Sequence, residues 1–231
     1  GADVVRLASR LGWTVFIGYK NGLDRANILA HEVQSWNGKA FPVSFCLDNP
    51  NSIEESIDTV AQRGLGLEAL VLCASPTPTL ASFTKVQKQE FLDQFAVNAI
   101  SVHRIIVECW KRFFSKTRKG HVIGLLSAAM GPPPAAHMCS YIAGKRAMQA
   151  VLECAAIELG KWGLCVTGFS PTYTETPMLT AFPAPMLEMA RSERKNGQFL
   201  TSREVAQHIV ERLENPPQSE TYFSVQEIVA P

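Results

Sequence analysis

The chain has 231 residues, 46% apolar and 19% charged, which is ample material for the core of one large α/β domain and argues against disorder. With 22 Lys and Arg against 21 Asp and Glu, the formal charge of +1 provides no global field for DNA or an acidic membrane, so neither is expected as a partner. No signal peptide and no unbroken apolar run of about 18 residues occurs, and six cysteines (Cys46, Cys73, Cys109, Cys139, Cys154, Cys165) without a C-x-x-C pair read as reduced core thiols of a cytoplasmic protein, with no metal site.

In chain order, Val4, Leu7, Ala8 and Leu11 recur at helical spacing, and Gly12 closes that helix. Short apolar runs rich in β-branched and aromatic residues read as strands: Trp13 to Ile17, Ala40 to Phe45, Ala69 to Cys73, His121 to Leu126, Leu164 to Phe169 and Thr221 to Val225. Longer stretches of helical period separate them. The basic run Lys111 to Lys119 falls where one helix should end and complements its dipole. The last helix opens at Ser202, with Arg203 and Glu204 in its first turn, and carries Val205, Ile209, Val210 and Leu213 on one face. This alternation predicts a doubly wound parallel sheet with helices on both faces, a three-layer α/β sandwich spanning 1–231 as a single domain. Two proline-rich loops, Gly131 to Pro134 and Pro171 to Pro185, each follow a strand. Ligands of open α/β sheets bind beyond the carboxyl ends of the strands, so a site is expected at these loops.

Cys139-Ser-Tyr-Ile-Ala-Gly-Lys145 opens a long helical pattern, which sets Tyr141 and Lys145 one turn apart on one face. An isolated phenol, with a pKa near 10, holds its proton too tightly to act as a base near neutrality. Lowering it that far takes roughly 4 kcal/mol, which a close, partly desolvated ammonium can provide. The spacing alone is common on helices, and its company along the chain gives it meaning. His121-Val-Ile-Gly-Leu-Leu-Ser127 ends in a serine 14 positions before Tyr141, and Phe95-Ala-Val-Asn98-Ala puts an asparagine in mid-helix, where it needs a role. Ser170-Pro171-Thr-Tyr-Thr174-Glu-Thr176-Pro-Met178 follows the fifth apolar run.

Together these motifs resemble the short-chain dehydrogenase/reductase family, from Gly1 to the last expected strand. The resemblance implies a Rossmann-like sheet of about six to seven strands. It implies catalytic roles for Asn98, which relays protons through a water, for Ser127, which orients the carbonyl, for Tyr141, and for Lys145, which holds the ribose and lowers the Tyr141 pKa. It places Pro171, Thr174 and Thr176 at the nicotinamide carboxamide and Asp48 near the adenine, although Asp48 could also cap the next helix. Expected cofactor contacts further include Gly1, Tyr19, Cys73, Ala74, Ser75, Tyr141 and Lys145, and expected substrate contacts are Ala129, His137, Met138 and Met178. The long helices carrying Asn98 and Tyr141 imply a homodimer or homotetramer.

The family pattern is broken in three places. The glycine fingerprint is represented only by Gly1, so the first strand is expected to be absent from the sequence, leaving it clipped or the gap filled by another segment. Leu72-Cys73-Ala74-Ser75-Pro76 stands where the family has an Asn-Asn-Ala-Gly loop, and Thr172 replaces a glycine, a harmless change if the backbone there is extended. The second strand ends in Gly18-Tyr19-Lys20-Asn21 with no carboxylate, so Lys20, with Arg25, favours NADPH over NADH.

The expected activity is NAD(P)H-dependent reduction of a ketone to an alcohol, with Tyr141 as proton donor and a small carbonyl substrate. Length and the Tyr173-Thr-Glu-Thr segment are similar to the 3-oxoacyl-acyl-carrier-protein reductases, which adds an acyl carrier protein as a candidate partner. Met178 to Leu200 should form a lid over an apolar substrate, and Arg191, Arg194 and Lys195 a basic rim that is either a carrier contact or a solvated helix face. The alternative is a cofactor-sensing or partner-binding protein on the same fold, with catalysis decayed. A serine hydrolase built on Ser127 and His137 fails for want of a G-x-S-x-G elbow.

Overall fold

The computed structural model describes residues 1–194, 196–217 and 223–230. Helix and strand alternate from the start: α1 (Ala2–Arg10), β1 (Thr14–Tyr19), α2 (Leu23–Gln34), β2 (Lys39–Ser44), α3 (Pro50–Gln62) and β3 (Ala69–Leu72). Residues 88–117 then run as α4 (Lys88–Phe95), a π-helical turn Ala96–Ser101, α5 (Val102–Cys109), a second π-helical turn Trp110–Phe114 and α6 (Ser115–Thr117). Next come β4 (Gly120–Leu125), α7 (Cys139–Gly160), β5 (Leu164–Pro171), β6 (Thr174–Glu175), α8 (Ala184–Ser192), β7 (Leu200–Thr201), α9 (Ser202–Glu214) and β8 (Phe223–Ile228).

Every strand pair is parallel, and the order is β3-β4-β5-β8 in the main sheet. β1 pairs with β2, and the short β6 with β7. Among the described residues β1 and β3 share no ladder, so the strand layer is in two parts. Those parts still share a core: Val15 of β1 and Ala69 and Val71 of β3 pack against the group that holds Val4, Ile123 and Phe169. α1 and α9 cover this face, while α3, α5 and α7 cover the other through Ile53, Ile105 and Leu152, joined by Phe114 of the second π-helical turn. Side chains such as Phe114, Phe169 and Leu152, fully withdrawn from water, each contribute about 1.5–3 kcal/mol.

Several sequence expectations shift. α9 is capped by Thr201 rather than Ser202: Glu204 N donates to Thr201 Oγ1 at 3.1 Å, and Thr201 N donates to Glu204 Oε2 at 2.7 Å. Ser202 instead donates to Asp3 Oδ2 at 2.5 Å and ties α9 to α1. Pro171 to Pro185 is not an open loop, since it contains β6, the 3₁₀ turn Pro177–Ala181 and the start of α8. The last strand runs to Ile228, and Thr221, where it was expected to begin, lies outside the described residues. The cysteines are free, but only Cys109 is buried and Cys154 is exposed, so they are not uniformly core thiols.

Candidate active site

α7 is held unusually close to its neighbours by two glycines. A Cβ at Gly124 on β4 would stand 2.4 Å from Leu152 Cδ1, and one at Gly144 would stand 2.9 Å from Gln94 Cβ, so only glycine permits these approaches. The helix thereby brings Tyr141 and Lys145, both buried, to the carboxyl end of β4. Ser127, just past that end, is close enough to the Tyr141 phenol to favour its ionised form, and its Oγ accepts from Ala129 N at 3.2 Å. Ser127, Tyr141 and Lys145 thus come together at the carboxyl end of β4.

The electrostatics differ from expectation. Burial raises the Tyr141 pKa above its ordinary value, and the nearby Ser127 hydroxyl opposes this only in part. Lys145 does not hold the phenol low: its Nζ lies 6.0 Å from the Tyr141 ring centroid and donates to Leu125 O at 2.7 Å. Its own pKa is pushed down to about 8 by burial, against a smaller opposing effect of Cys73. Desolvation thus outweighs pairing at both groups.

Asn98 lies inside the π-helical turn Ala96–Ser101 and is fully buried, which removes the solvent-facing alternative. Its Nδ2 donates to Gln94 Oε1 at 2.8 Å, while Oδ1 is buried without a hydrogen-bond partner among the described residues. A π turn widens the helix locally and is frequent at functional positions. Gln94, itself buried, was missed in the sequence; its place one turn before Asn98 is the signal that could have revealed it.

Around this group lie the remaining expected contacts. Gly1 caps α1 beside Cys73, with a Cβ there 3.7 Å from Cys73 Cβ, which puts the amino end of α1 at the carboxyl end of β3. Ala74 is exposed, and Ser75 Oγ donates to Pro76 O at 3.4 Å. Tyr19 ends β1, and the next residue, Lys20, pairs with Asp48 at 2.8 Å. Hydrogen bonds from Cys46 and Lys20 hold the Asp48 carboxyl down to about 2. Asn49, not Asp48, caps α3, accepting from Asn51 N. The Arg25 guanidinium folds over Gly22 at the start of α2.

Thr172 N donates to Ile228 O at 3.0 Å, and Thr172 is not among the residues with positive φ, so its substitution for glycine carries no backbone strain. Pro171 ends β5, Thr174 Oγ1 donates to Thr172 O at 2.9 Å, and Thr176 opens the 3₁₀ turn that carries the half-buried Met178. His137 is exposed with φ 63°, and its carbonyl accepts from Ala81 N, whereas Met138 is buried at the start of α7. Of the basic rim, Arg191 stays partly exposed, 4.1 Å from the Phe199 ring centre and 3.5 Å from Glu175, while Arg194 covers Tyr173 and Phe199 and donates to Thr172 Oγ1 at 3.3 Å. Stacking on the two rings and the Thr172 bond draw the Arg194 guanidinium inward. Lys195 lies outside the described residues. A cleft of about 430 Å³ lined by Trp13, His121 and Cys165 sits at the opposite end of the sheet and includes none of these groups.

Residues 1–186 match the family model described as short chain dehydrogenase. The chain belongs to the short-chain dehydrogenase family. Among curated relatives, it is 24% identical over 183 residues to the 3-oxoacyl-acyl-carrier-protein reductase of Staphylococcus epidermidis, covering 78% of this chain and 73% of that protein. It is 23% identical over 212 residues to the cis-4-hydroxycyclohexanecarboxylate dehydrogenase of Sinomonas cyclohexanicum, covering 90% of this chain and 82% of that protein. A short chain dehydrogenase from Burkholderia cenocepacia, solved in complex with NADP, superposes with a TM-score of 0.86 at 22% identity over 99% of this chain and 91% of its own. The fold is thus the Rossmann-like parallel α/β fold of this family, and the chain is related to NAD(P)-dependent dehydrogenases and reductases.

Proposed function

We propose that this short-chain dehydrogenase is a single-domain carbonyl reductase that takes NADPH in preference to NADH, with Tyr141 as the proton donor. The observation that carries the reading is the buried phenol of Tyr141, close to Ser127, kept protonated by burial and one turn from Lys145 on α7. A group that must give up a proton has to hold one at working pH, and a raised pKa ensures that. The resident residues suit the cofactor: the amino end of α1 at Gly1 offers first-turn N–H groups with Cys73 beside it, Asp48 lies beside Lys20, and Tyr19, Ala74 and Ser75 are the further contacts of this reading. Lys20 and Arg25 suit a 2′-phosphate, while Pro171, Thr174 and Thr176 suit a carboxamide.

When bound, NADPH supplies the hydride that ends on the carbonyl carbon. Tyr141 gives its Oη proton to the carbonyl oxygen as that oxygen gains charge, and the product is an alcohol. Ser127 donates to the same oxygen and orients it. Lys145, charged in most molecules at pH 7, holds a ribose hydroxyl and with Asn98 returns a proton to Tyr141 through water. Ala129, His137, Met138 and Met178 bound the substrate, which the Met, Phe and Pro content of 178–200 marks as apolar. An acyl chain delivered by a carrier protein fits that content and the name of the Staphylococcus relative. We further propose a homodimer or homotetramer in the cytoplasm; among the described residues no helix is long and apolar enough to cross a membrane.

Incubation with NADPH and a panel of ketones, including 3-oxoacyl thioesters, tests the reading. Tyr141→Phe should lower turnover by about 10²–10⁴-fold and leave the NADPH dissociation constant unchanged. Undiminished turnover in this variant rejects the mechanism. The altered loop Cys73–Pro76 favours one second reading, a cofactor sensor, for which wild-type protein would bind NADPH and reduce nothing on the panel.

A further inference from the structure

Lys20 and Asp48 follow two paired strands out of the sheet. Tyr19 closes β1, Phe45 N donates to Tyr19 O at 2.6 Å, and beyond that bond Lys20 continues one strand and Cys46 the other. There Lys20 Nζ donates to Asp48 Oδ2 at 2.8 Å and Cys46 Sγ donates to Asp48 Oδ1 at 3.0 Å, so both carboxylate oxygens are engaged. These bonds, from Cys46 and then from Lys20, hold the Asp48 pKa down to about 2, and the carboxylate stays charged near neutral pH. Arg25 differs. Its guanidinium folds over Gly22, and no carboxylate pairs with it among the described residues.

The carboxyl end of such a strand pair is where an open α/β sheet meets the ribose of a dinucleotide, and a 2′-phosphate is what separates NADPH from NADH there. A phosphate monoester carries about 1.5 to 2 negative charges at neutral pH. Lys20 has three N–H donors and has given one to Asp48. A phosphate that takes the other two shares the ammonium with a carboxylate, and the two anions repel. A phosphate that displaces Asp48 loses what the ion pair contributed. Either route weakens the hold of Lys20 on the phosphate. Each side chain of the pair is 51% exposed, so solvent screens it and the penalty is a modest factor, not a bar to binding. Arg25 has no such competitor and offers the planar fork of donors that matches a phosphate.

We propose that Asp48 tunes coenzyme selectivity by holding Lys20 in an ion pair that competes with the 2′-phosphate, which leaves Arg25 as the main cation for that phosphate. The inference rests on the reading that this chain binds a nicotinamide coenzyme with its ribose beside Lys20. It departs from the adenine contact that the family resemblance implies for Asp48. NADPH and NADH share the adenine, so an adenine contact changes both affinities alike, whereas the ion pair acts on NADPH alone.

The test measures dissociation constants for NADPH and for NADH in wild type, Asp48→Asn, Asp48→Glu, Lys20→Gln, Arg25→Gln and the double variant of Asp48→Asn with Lys20→Gln. The ratio of the NADPH to the NADH constant cancels any effect on the shared adenine. Asp48→Asn should lower this ratio by about three- to tenfold, and Asp48→Glu, which keeps a carboxylate for Lys20, should leave it within about twofold. With Lys20→Gln in place, the effect of Asp48→Asn should shrink to less than about twofold. Arg25→Gln should raise the ratio more than Lys20→Gln does. An unchanged ratio in Asp48→Asn, the same gain without Lys20, or a larger loss from Lys20→Gln than from Arg25→Gln would each overturn the proposal. A wild type that prefers NADH defeats the NADPH reading, and the Asp48→Asn shift still decides this one. If wild type binds neither coenzyme, the coenzyme reading fails and the selectivity proposal falls with it. Alkylation of Cys46 by iodoacetamide then judges the ion pair alone: its thiol pKa is raised chiefly by the bond to Asp48, so Asp48→Asn should speed the reaction, and an unchanged rate overturns the pairing.

Discussion

His121 enters the sheet at the start of β4, where its Nε2 meets Thr167 Oγ1 at 3.1 Å and its Nδ1 is buried without a partner among the described residues. Burial, helped by the charge of Arg212, pushes its pKa down to about 4 from the ordinary 6.5. The folded value lies below the unfolded one, so between about pH 6.5 and 4 the unfolded chain binds more protons and stability falls as the solution is acidified. The full loss is roughly 3 kcal/mol at the lower end. His121→Gln should flatten this acid limb, and urea midpoints measured from pH 7 to pH 4 check it. Lys145 follows the same logic at the alkaline side. Its folded pKa of about 8 lies below the free value of 10.5, so stability from this group rises as pH increases between them. The protein therefore carries a buried ammonium at neutral pH at a cost in stability, as is common for groups held ready for chemistry. Tyr141 and Lys145 were visible as a pair in the sequence, but their protonation was not, because burial by α4, β4 and α7 sets it and no local pattern reports burial of that depth.

At the scale of elements, α9 shows how a start signal is shared between neighbours. Thr201 and Ser202 are both suitable caps, and the sequence does not choose between them; the capping box with Glu204 chooses Thr201, since Ser202 is engaged by Asp3 from α1. Thr201→Ala should therefore cost about 1 kcal/mol, seen as a lowered Tm, because Ser202 is one position too late to replace it. The helical stretch 88–117 was legible as a helix with an awkward asparagine. The family resemblance implied an opening of the helix at Asn98, where Gln94 and Asn98 meet Gly144 of α7, but nothing local marked the second π turn, Trp110–Phe114. The segment after β5 read as a loop because of its prolines, yet Pro177 and Pro183 precede or open helical turns, positions where the missing N–H is no loss.

For the whole molecule, the two-part strand layer is the feature with a measurable consequence. β4 is buried along almost its whole length, whereas most residues of β1 and β3 are half-buried and, among the described residues, each of these two strands has a ladder on one side only. Backbone amides that point away from a partner strand have no protection from the sheet. Hydrogen exchange followed by mass spectrometry should find alternate amides of β1 and β3 exchanging far faster than those of β4 and β5, and uniform protection would contradict this arrangement. By itself, the sequence determined the alternation of strand and helix, the parallel α/β class and the order Asn98, Ser127, Tyr141, Lys145. Those depend on periodicity and on spacing within single elements, which local chemistry enforces. Only the tertiary structure decided which strands pair, that Asn49 and Thr201 are the caps, that Arg194 folds inward on aromatic rings, and that Gln94 joins Asn98 to the loop after β3. The strand pairing and the bonds from Gln94 to Pro76 and Thr77 join residues distant in the chain, and the caps, though local, are selected by competition among neighbouring polar side chains for the same hydrogen bonds.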